Sequence, residues 1–495
     1  MAETEGGNQV ETAGDAGVSL LDRIVGEGKL ALDDSQKEHA RDLLAEFVGQ
    51  VVGESGKVSG DVVEAINLRI AQIDELISAQ LNEVLHNPSF QKLEATWRGL
   101  HYLVMKSETS TRLKLRVLNA SKSDVLKDLE KAVEFDQSAL FKMVYEEEYG
   151  TFGGAPYGCL VGDYEFGRHP QDIALLEKLS NVAAAAHAPF IGGAAARMFD
   201  MTSFTELGVP RDMAKIFESA EMIKWRSFRA SEDSRYVSLC LPHILLRLPY
   251  GPDTKPVEGV NFTEDTDGTD HGKYLWGNAA WALAERITAA FAQHSWCAAI
   301  RGVEGGGKVE GLPTHTFRTD EGEVALKCPT EIAITDRREK ELSDLGFISL
   351  VHCKNTDFAA FFGAQTANKP KVYDTTQANA NARLSSVLTY ILAASRFAHY
   401  IKVIMRDKIG SFQSQSNVST FLNRWLGNYV LLMDEASQAQ KAKYPLREGR
   451  VDVTEVPGRP GSYRAIVFLR PHFQLEELTA SIRLVAELPA AGTWE

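Results

Sequence analysis

The sequence predicts a mixed α/β (α+β) fold divided into several domains. Its 495 residues exceed what one hydrophobic core usually supports, so more than one folding unit is expected. Apolar residues recur at helical spacing near the N-terminus and again over 376–404, whereas short strand-like runs occupy the middle and the C-terminal end. This order of elements favours a mixed fold over an all-helical or an all-β one.

The N-terminal region is predicted to be helical after a polar tail. Residues 1–17 are acidic and polar, and Ser35 and Glu38 then have the spacing of a helix capping box. Glycines at positions 53, 56 and 60 indicate a linker. Apolar stripes predict two further helices, over 62–85 and 90–105, with Trp97 buried in the second.

The middle of the chain alternates between helix-like and strand-like segments. Helices are predicted over 172–186 and 276–294, and a long loop rich in Pro, Gly and Asp over 250–271. Strands are predicted over 112–118, 157–161, 237–241, 245–248, 296–300 and 331–335.

The C-terminal region is predicted to be helical first and then β. Helices are expected over 376–404 and 420–433, followed by strands over 451–456, 463–469 and 479–488. In the last two strands both alternating sets of side chains are largely apolar, so we expect this sheet to be covered on both faces. A sheet of about three strands also leaves unpaired edges.

Composition excludes several classes of protein. An apolar fraction of 44% with 24% charged residues is typical of globular chains, and a net charge of −14 argues against a general nucleic-acid binder. No apolar run reaches the roughly 18 residues of a membrane span, and the N-terminus lacks a signal peptide, so we expect a cytoplasmic protein without membrane insertion. Five scattered cysteines without a CxxC pair predict neither disulfides nor a zinc site.

Charge is distributed unevenly along the chain. Residues 1–60 contain 12 acidic and 5 basic residues, whereas residues 383–470 contain 13 basic and 6 acidic ones. Four of these basic residues lie where helix is predicted to give way to strand: Lys441, Lys443, Arg447 and Arg450. They either face an acidic partner surface or are simply solvated, and composition leaves both interpretations open.

The run from Gly302 to Lys308 has the spacing of the first part of a phosphate-binding P-loop. Position 309, however, is Val where Ser or Thr would bind magnesium, and the following residues include Pro313 and cannot begin the required helix. A glycine-rich turn is the favoured interpretation. No HExxH or GxSxG motif is present, so we predict no catalytic residue, no metal and no cofactor.

Six long stretches carry a family resemblance. They cover 140–166, 274–317, 395–412 and 465–488, together with 87–105 (NPSFQKLEATWRGLHYLVM) and 346–364 (GFISLVHCKNTDFAAFFGA). These stretches resemble the large subunit of the type VI secretion contractile sheath, the TssC/VipB/EvpB family. The resemblance extends over nearly the whole chain from about residue 60 onward.

The resemblance implies a structural role and a set of partners. Members of this family pair with a small sheath subunit (TssB/VipA-like) and polymerise helically around an inner tube protein (Hcp-like). Contraction of the sheath, which is attached to a baseplate, propels the tube and its effectors into a target cell. A Clp-type AAA+ unfoldase (ClpV-like) then recycles the sheath. The C-terminal part resembles phage-tail sheath domains.

The resemblance also assigns expected roles to segments of this chain. Residues 1–60 are expected to be a flexible segment, 61–375 the sheath body that pairs with the small subunit, and 376–495 the C-terminal sheath domain. The four basic residues above are expected to face the tube. Strands that join subunits are expected at Ala465, Val467, Leu469, Ile482, Leu484 and Ala486. Unfoldase binding is expected at Leu20, Leu21, Ile24 and Val25, with docking of this segment onto the chain's own body as the alternative.

Two alternative functions remain from the sequence. The nearest is a sheath protein of another contractile tail-like system, such as a phage tail or tailocin, whose sheaths usually contain a single polypeptide. The more distant one is a nucleotide-binding enzyme that uses Gly302 to Lys308. A requirement for a second small protein distinguishes the type VI sheath from the first alternative, and nucleotide binding by the isolated chain would support the second.

Overall fold

The computed structural model describes residues 25, 34–54, 62–318, 322–354, 356–408, 411, 414–433, 435–457 and 463–472. The chain divides into two compact units. The first comprises Met1–Glu83 with Tyr250–Glu264, and the second comprises Val84–Pro249 with Asp265–Glu495.

The helices and strands of the described residues are numbered here in chain order. Helices are α1 (Asp34–Glu54), α2 (Val62–Leu85), α3 (Pro88–Lys106), α4 (Lys122–Lys131), α5 (Pro170–Ala186), α6 (Met213–Glu218), α7 (Ile223–Ala230), α8 (Ala280–His294), α9 (Asp336–Asp344), α10 (Thr376–Leu384), α11 (Leu388–Asp407), α12 (Gln415–Gly427) and α13 (Gln438–Lys443). Strands are β1 (Leu160–Phe166), β2 (Phe190–Ala194), β3 (Val237–Leu241), β4 (Ile244–Leu245), β5 (Trp276–Gly277), β6 (Lys308–Val309), β7 (His315–Arg318), β8 (Val324–Lys327), β9 (Ile348–His352), β10 (Ala359–Phe361), β11 (Leu446–Glu455) and β12 (Tyr463–Pro471).

The first unit consists mainly of helices. It contains α1, most of α2 and the loop of residues 250–264. The predicted apolar stripe of α2 lies largely at the surface, with Ile66, Ile70 and Ile73 each at least 40% exposed. Within this unit the Asn261 N–H donates to the Asp74 carboxylate at 3.4 Å, which joins the loop to α2.

The second unit is built on a six-stranded sheet in the order β1-β2-β3-β9-β10-β6. Strands β1, β2, β3 and β9 are parallel, and β10 and β6 continue the sheet in antiparallel fashion. Parallel strands need helical crossovers that cover both faces, and α5 provides one of these between β1 and β2. This explains why β2 and β3 are buried along their whole length.

Successive side chains of these strands alternate between two cores. Phe190 and Leu239 belong to the core that contains α5 and Trp225, whereas Ile191 and Cys240 belong to the core that contains α8. The sheet is therefore covered on both faces, and the predicted mixed fold is confirmed.

Three predicted strands are absent, and a fourth, predicted over 245–248, is a strand only at Leu245. Residues 112–118 are extended but pair with no strand among the described residues. Residues 296–300 form no strand. Their apolar side chains serve packing instead, since Trp296 stacks on Phe397 of α11 with ring centroids 4.3 Å apart. Residues 331–335 are irregular, and the Glu331 side chain turns toward His243. In the three absent strands an apolar or alternating pattern reflects burial or an extended backbone, neither of which alone makes a strand.

The predicted helix over 376–404 is broken in two. Helix α10 ends at Leu384 and α11 begins at Leu388. The Ser386 carbonyl oxygen accepts hydrogen bonds from both the N–H and the hydroxyl of Thr366, at 2.9 and 2.7 Å. A carbonyl oxygen held in this way is unavailable to a continuing helix, so a long-range contact overrides the local propensity.

Trp97 is exposed rather than buried. Its side chain on α3 is 64% exposed, whereas Leu103 on the opposite side of the helix is buried. That buried side packs closely against α8, because a Cβ on Gly99 would lie 2.3 Å from the Trp281 ring. The apolar pattern of α3 therefore marks two faces, of which only one is covered in the second unit.

Candidate inter-subunit surface

The C-terminal helices and the β11–β12 hairpin share a separate small core. Phe397 of α11, Leu422 and Leu426 of α12 and Val451 of β11 are buried together with Trp296. In the hairpin Val451 lies opposite Val467, and Val453 lies opposite Ala465. This core fixes the hairpin against α12, so its edges have a defined orientation.

Only one face of the hairpin is covered within the described residues. Val451 is 1% exposed, whereas Ile466 and Phe468 on the other face of β12 are 58% and 51% exposed. The prediction that both faces are covered is therefore wrong for this part of the sheet. Two apolar side chains of β12 therefore face solvent within the described residues.

The outer edge of β11 is closed by side chains of α12. The Val451 N–H donates to Asn423 Oδ1 at 2.9 Å, and Asn423 Nδ2 donates to the Val451 carbonyl oxygen at 2.8 Å. Gln415 Nε2 donates to the Val453 carbonyl oxygen at 2.6 Å. Two amide side chains thus take the place of a neighbouring strand, and β11 has little capacity to accept one.

The outer edge of β12 is different. Val451 directs its N–H and C=O away from β12, so its opposite residue Val467 directs its own groups away from β11. Because backbone groups alternate in direction along a strand, the N–H and C=O groups of Ala465 and Leu469 point the same way as those of Val467. Among the described residues, none of these groups has a hydrogen-bond partner outside the hairpin. Within the described part of the chain this edge of β12 is therefore unpaired at Ala465, Val467 and Leu469, and their role in joining subunits stays a prediction. Ile482, Leu484 and Ala486 lie outside the described residues.

The four basic residues lie beside this hairpin. Lys441 and Lys443 are in the last turn of α13, where positive charge suits the negative end of a helix. Arg447 is half-buried in β11, and Arg450 pairs with Asp452 at 2.9 Å. Arg450 is thus already partly neutralised.

The N-terminal segment is described at a single predicted position. Val25 is only 4% exposed, whereas Leu20, Leu21 and Ile24 lie outside the described residues. Both the predicted unfoldase binding and the alternative of docking onto the chain's own body stay predictions.

The run from Gly302 to Lys308 forms a turn that uses its own amides. The Gly302 N–H donates to Phe361, and the Gly307 N–H donates back to Gly302 at 2.8 Å. Gly306 has a φ of +91°, and the chain then enters β6 rather than a helix. Lys308 pairs with Glu310. The loop has no helix N-terminus to receive a phosphate, so the predicted glycine-rich turn is confirmed.

A charged cluster of one buried and several more accessible residues was missed by sequence reasoning. His243 Nδ1 lies 2.6 Å from a Glu331 oxygen, and its Nε2 lies 2.8 Å from a Glu165 oxygen. The Ser203 hydroxyl donates to Glu331 at 2.6 Å rather than to the histidine. These residues are up to 166 positions apart, so no local motif reveals them.

The surroundings of His243 favour its protonated form. Burial alone would lower the pKa of His243, but hydrogen bonds and charges from Glu165 and Glu331 outweigh it and raise the pKa to about 10. Burial would likewise raise the pKa of Glu331, yet the hydrogen bond from His243 leaves it lowered. A histidine protonated at both nitrogens cannot act as a general base near neutral pH. Its two hydrogen bonds instead join residues 165, 243 and 331 of the fold.

We expect the stabilisation by this cluster to depend on pH. A folded-state pKa above the unfolded value gives a contribution that is complete below about pH 6.5 and is lost as pH rises toward 10. Relative to His243→Gln, the wild-type chain should be more stable by on the order of 3 kcal/mol near pH 6. Unfolding midpoints of both proteins, measured between pH 6 and 9.5, test this prediction. A difference between the two midpoints that stays constant with pH would contradict it.

The described residues also lack two other features. No helix there is long and apolar enough to cross a membrane. The same residues contain no group of three or more His, Cys, Asp or Glu side chains placed to hold a metal ion.

Comparisons with known proteins define the class of this chain. Residues 67–368 match the family model of the EvpB/VC_A0108 tail sheath N-terminal domain, and residues 377–488 match that of the EvpB/VC_A0108 tail sheath gpW/gp25-like domain. Both models describe components of a contractile tail sheath. The type VI secretion system sheath protein TssC1 of Pseudomonas aeruginosa is 52% identical over 444 residues, which cover 88% of this chain and 89% of that protein. The chain belongs to the EvpB/VipB family, the large sheath subunits of type VI secretion systems.

Solved structures show more distant similarity. A chain of the anti-feeding prophage baseplate matches with a TM-score of 0.37 and 10% identity, covering 76% of this chain and 83% of that one. A chain of the PVC sheath complex, an extracellular contractile injection system in its contracted state, matches with a TM-score of 0.33 and 9% identity over 62% and 68% of the two chains. The family assignment rests on the sequence matches alone.

Proposed function

We propose that this sheath subunit pairs with a small sheath subunit and polymerises with it around an inner tube, which contraction drives into a target cell. Family membership supports this role. The observation that carries the proposed joint between subunits is the difference between the two hairpin edges. The Val451 edge is occupied by Asn423, whereas no described residue hydrogen-bonds to the Val467 edge.

The open edge supports strand addition from a neighbouring subunit. Backbone N–H and C=O groups are obligatory hydrogen-bonding groups, and a strand laid along β12 satisfies those of Ala465, Val467 and Leu469 together. The same strand extends the sheet beside the exposed Ile466 and Phe468. Main-chain pairing of this kind depends little on side-chain detail and therefore tolerates rotation of the joined domains.

We propose that the basic segment faces the inner tube. Lys443 is exposed at the end of α13, and Lys441 and Arg447 are partly accessible. Exposed ion pairs contribute only about 0–1 kcal/mol each, so the tube can still slide. Because the same contacts recur in every subunit along the sheath, their total contribution is larger.

Charge reversal tests this orientation. The double variant Lys443→Glu and Arg447→Glu should reduce co-assembly of tube and sheath several-fold at low salt, since each subunit would then repel an acidic surface. The measurement is the fraction of tubules with a filled lumen in electron micrographs. Lys215→Glu with Lys371→Glu is the matched control, because both residues are exposed and lie outside the C-terminal segment. Equal filling in both double variants would refute the orientation.

The remaining roles follow from the family and belong to the same proposal. The assembly attaches to a baseplate, works in the cytoplasm without catalytic activity or cofactor, and is recycled by a Clp-type unfoldase. Unfoldase recognition through residues 20–25 requires release of Val25, which is buried here.

Co-expression with the small subunit tests the function as a whole. Electron microscopy should show tubules only when both proteins are present, and tubules from the large chain alone would instead indicate a single-polypeptide sheath. Tubules built from a chain without residues 1–32 should form normally but fail to retain the unfoldase. Loss of both properties would contradict the assignment of this segment.

A further inference from the structure

Helix α11 belongs to two cores of the second unit. Leu388 and Leu392 in its first half lie in the core that contains α8. Phe397 and Ile401 in its second half lie in the small core of the C-terminal hairpin. The path of this one helix therefore determines where the hairpin lies relative to the central sheet, and a contact that holds its second half in place also holds the hairpin.

His399 holds the second half of α11 against the C-terminal end of α5. His399 is 2% exposed, and its Nε2–H donates to the Ala186 carbonyl oxygen at 2.8 Å. On the other side of the ring, the Arg396 guanidinium lies 3.5 Å from Nδ1, which accepts its hydrogen bond. The neutral imidazole thus uses both ring nitrogens, one as a donor and the other as an acceptor.

A second histidine and two tyrosines surround this contact. The Tyr149 ring lies 5.0 Å from the His399 ring, measured between centroids, and the His187 ring lies 6.1 Å from it. His187 directly follows α5, and its Nδ1 lies 3.3 Å from the Tyr236 hydroxyl. These neighbours provide no negative charge, because burial raises the pKa of both tyrosines above its ordinary value.

Two fixed positive charges flank His399 on α11. Arg396 and Lys402 each lie three residues from it, so both side chains are its neighbours on the helix surface. The Lys402 Nζ donates to the Tyr145 hydroxyl at 2.5 Å and lies 4.1 Å from the centre of the Tyr149 ring. Within the described part of the chain neither cation forms an ion pair with a carboxylate, so both charges act on the imidazole.

These surroundings disfavour a positive charge on His399. Burial has the largest effect, and the two flanking cations and His187 add to it, so that the pKa of His399 falls to about 4. Burial, together with the same lysine, also lowers the pKa of His187. Burial raises the pKa of Tyr236, on which Asp233 and Arg235 have opposite effects. Among the described residues no carboxylate pairs with either imidazole.

We propose that His399 forms an acid-sensitive joint, and that its protonation releases the second half of α11, with the C-terminal hairpin, from α5. In the neutral ring Nδ1 accepts a hydrogen bond from Arg396, whereas after protonation its N–H would point at the same guanidinium. A third positive charge would then lie between Arg396 and Lys402 in a site that excludes water. Exposure of the imidazole to solvent relieves this repulsion, while Leu388 and Leu392 keep the first half of α11 in place.

The direction of the pH dependence follows from the lowered pKa. A folded-state value of about 4, below the ordinary value of 6.5, contributes stability that is complete above about pH 6.5 and is lost as pH falls toward 4. This slope is opposite to that expected for His243, whose pKa is raised. The two histidines are therefore distinguished by the sign of the pH dependence that their glutamine variants lose.

Replacing His399 with glutamine tests the joint in the full-length chain. Glutamine retains a side-chain N–H for the Ala186 carbonyl oxygen but does not titrate. From pH 7.5 to pH 5 the unfolding equilibrium constant of the second unit, measured in denaturant, should rise about 30-fold more in the wild-type chain than in His399→Gln. His101→Gln is the control, because His101 is exposed on α3, and it should retain the wild-type pH dependence. Equal pH dependence of His399→Gln and the wild-type chain would overturn the inference.

Hydrogen exchange on the wild-type chain separates release of α11 from unfolding of the whole second unit, and it requires no folded variant. The protection factors of amides in residues 401–407 and in β11 should fall roughly 30-fold from pH 7.5 to pH 5. At pH 5 they should also be at least about 10-fold lower than those of β3, because the central sheet stays folded when α11 leaves α5. Protection that does not change with pH, or that equals that of β3 at pH 5, would overturn the inference.

Discussion

Replacing Val467 with proline should abolish tubule formation while the chain itself remains folded. The Val467 N–H points to the open edge of β12, so its loss removes no hydrogen bond of the hairpin. A neighbouring strand, however, would lose one backbone bond and meet the proline ring. The expected result is wild-type binding of the small subunit, a nearly unchanged unfolding midpoint, and no tubules in electron micrographs of the co-expressed pair.

Two control variants separate the open edge from the hairpin itself. Ile466→Pro, one residue away, removes an N–H that points toward Asp452 of β11 and should destabilise the hairpin. Asn423→Ala uncaps the opposite edge by removing both hydrogen bonds to Val451, at a cost of about 1–3 kcal/mol. Wild-type tubules from Val467→Pro would show that β12 accepts no strand.

Replacing Trp225 with alanine should cause the largest loss of stability in the second unit. Trp225 is fully buried and stacks on Phe347, with centroids 5.6 Å apart and an interplanar angle of 18°. Removing a buried tryptophan costs about 3–5 kcal/mol through lost transfer energy and a cavity. The measurement is the shift of the denaturant midpoint of the second unit's transition.

Trp225→Phe is the informative comparison. The Trp225 Nε1–H is buried without a hydrogen-bond partner in the described structure, so phenylalanine removes an unsatisfied donor as well as volume. Trp225→Phe should lower the free energy of unfolding by about 1–2 kcal/mol, well below the loss expected for Trp225→Ala. Equal losses for both variants would mean that aromatic stacking on Phe347 contributes nothing.

Local patterns predicted the elements whose neighbours match their periodicity. The helices over 62–85 and 90–105 and the strand over 237–241 are present nearly as predicted. The alternation at 112–118 is real as well, but pairing depends on a second strand, which no local pattern contains. Trp97 shows the same limit for helices, because apolar residues on α3 predict burial without indicating which of its two faces the chain covers.

The candidate surface was predictable in outline but not in its decisive details. The alternation of side chains predicted a strand that contains Ala465, Val467 and Leu469. The family resemblance of the sequence then predicted that this strand joins subunits. The closing of the other edge depends on Asn423, which is 28 residues from Val451, and on a side-chain geometry that sequence spacing does not encode. The same holds for His243 and Glu331, which only the fold brings together.

The two unequal edges of the hairpin also limit how copies of this chain can join. A protomer with one open strand can pair with an identical strand only about a two-fold axis, which ends growth at a closed dimer. An open-ended helix therefore needs a head-to-tail contact, in which each copy also lends a different strand to the next. If β12 accepts a strand as proposed, Asn423 leaves β12 as the one edge free for pairing among the described residues of the hairpin. Each hairpin then accepts a single neighbour, and the polymer grows without branching.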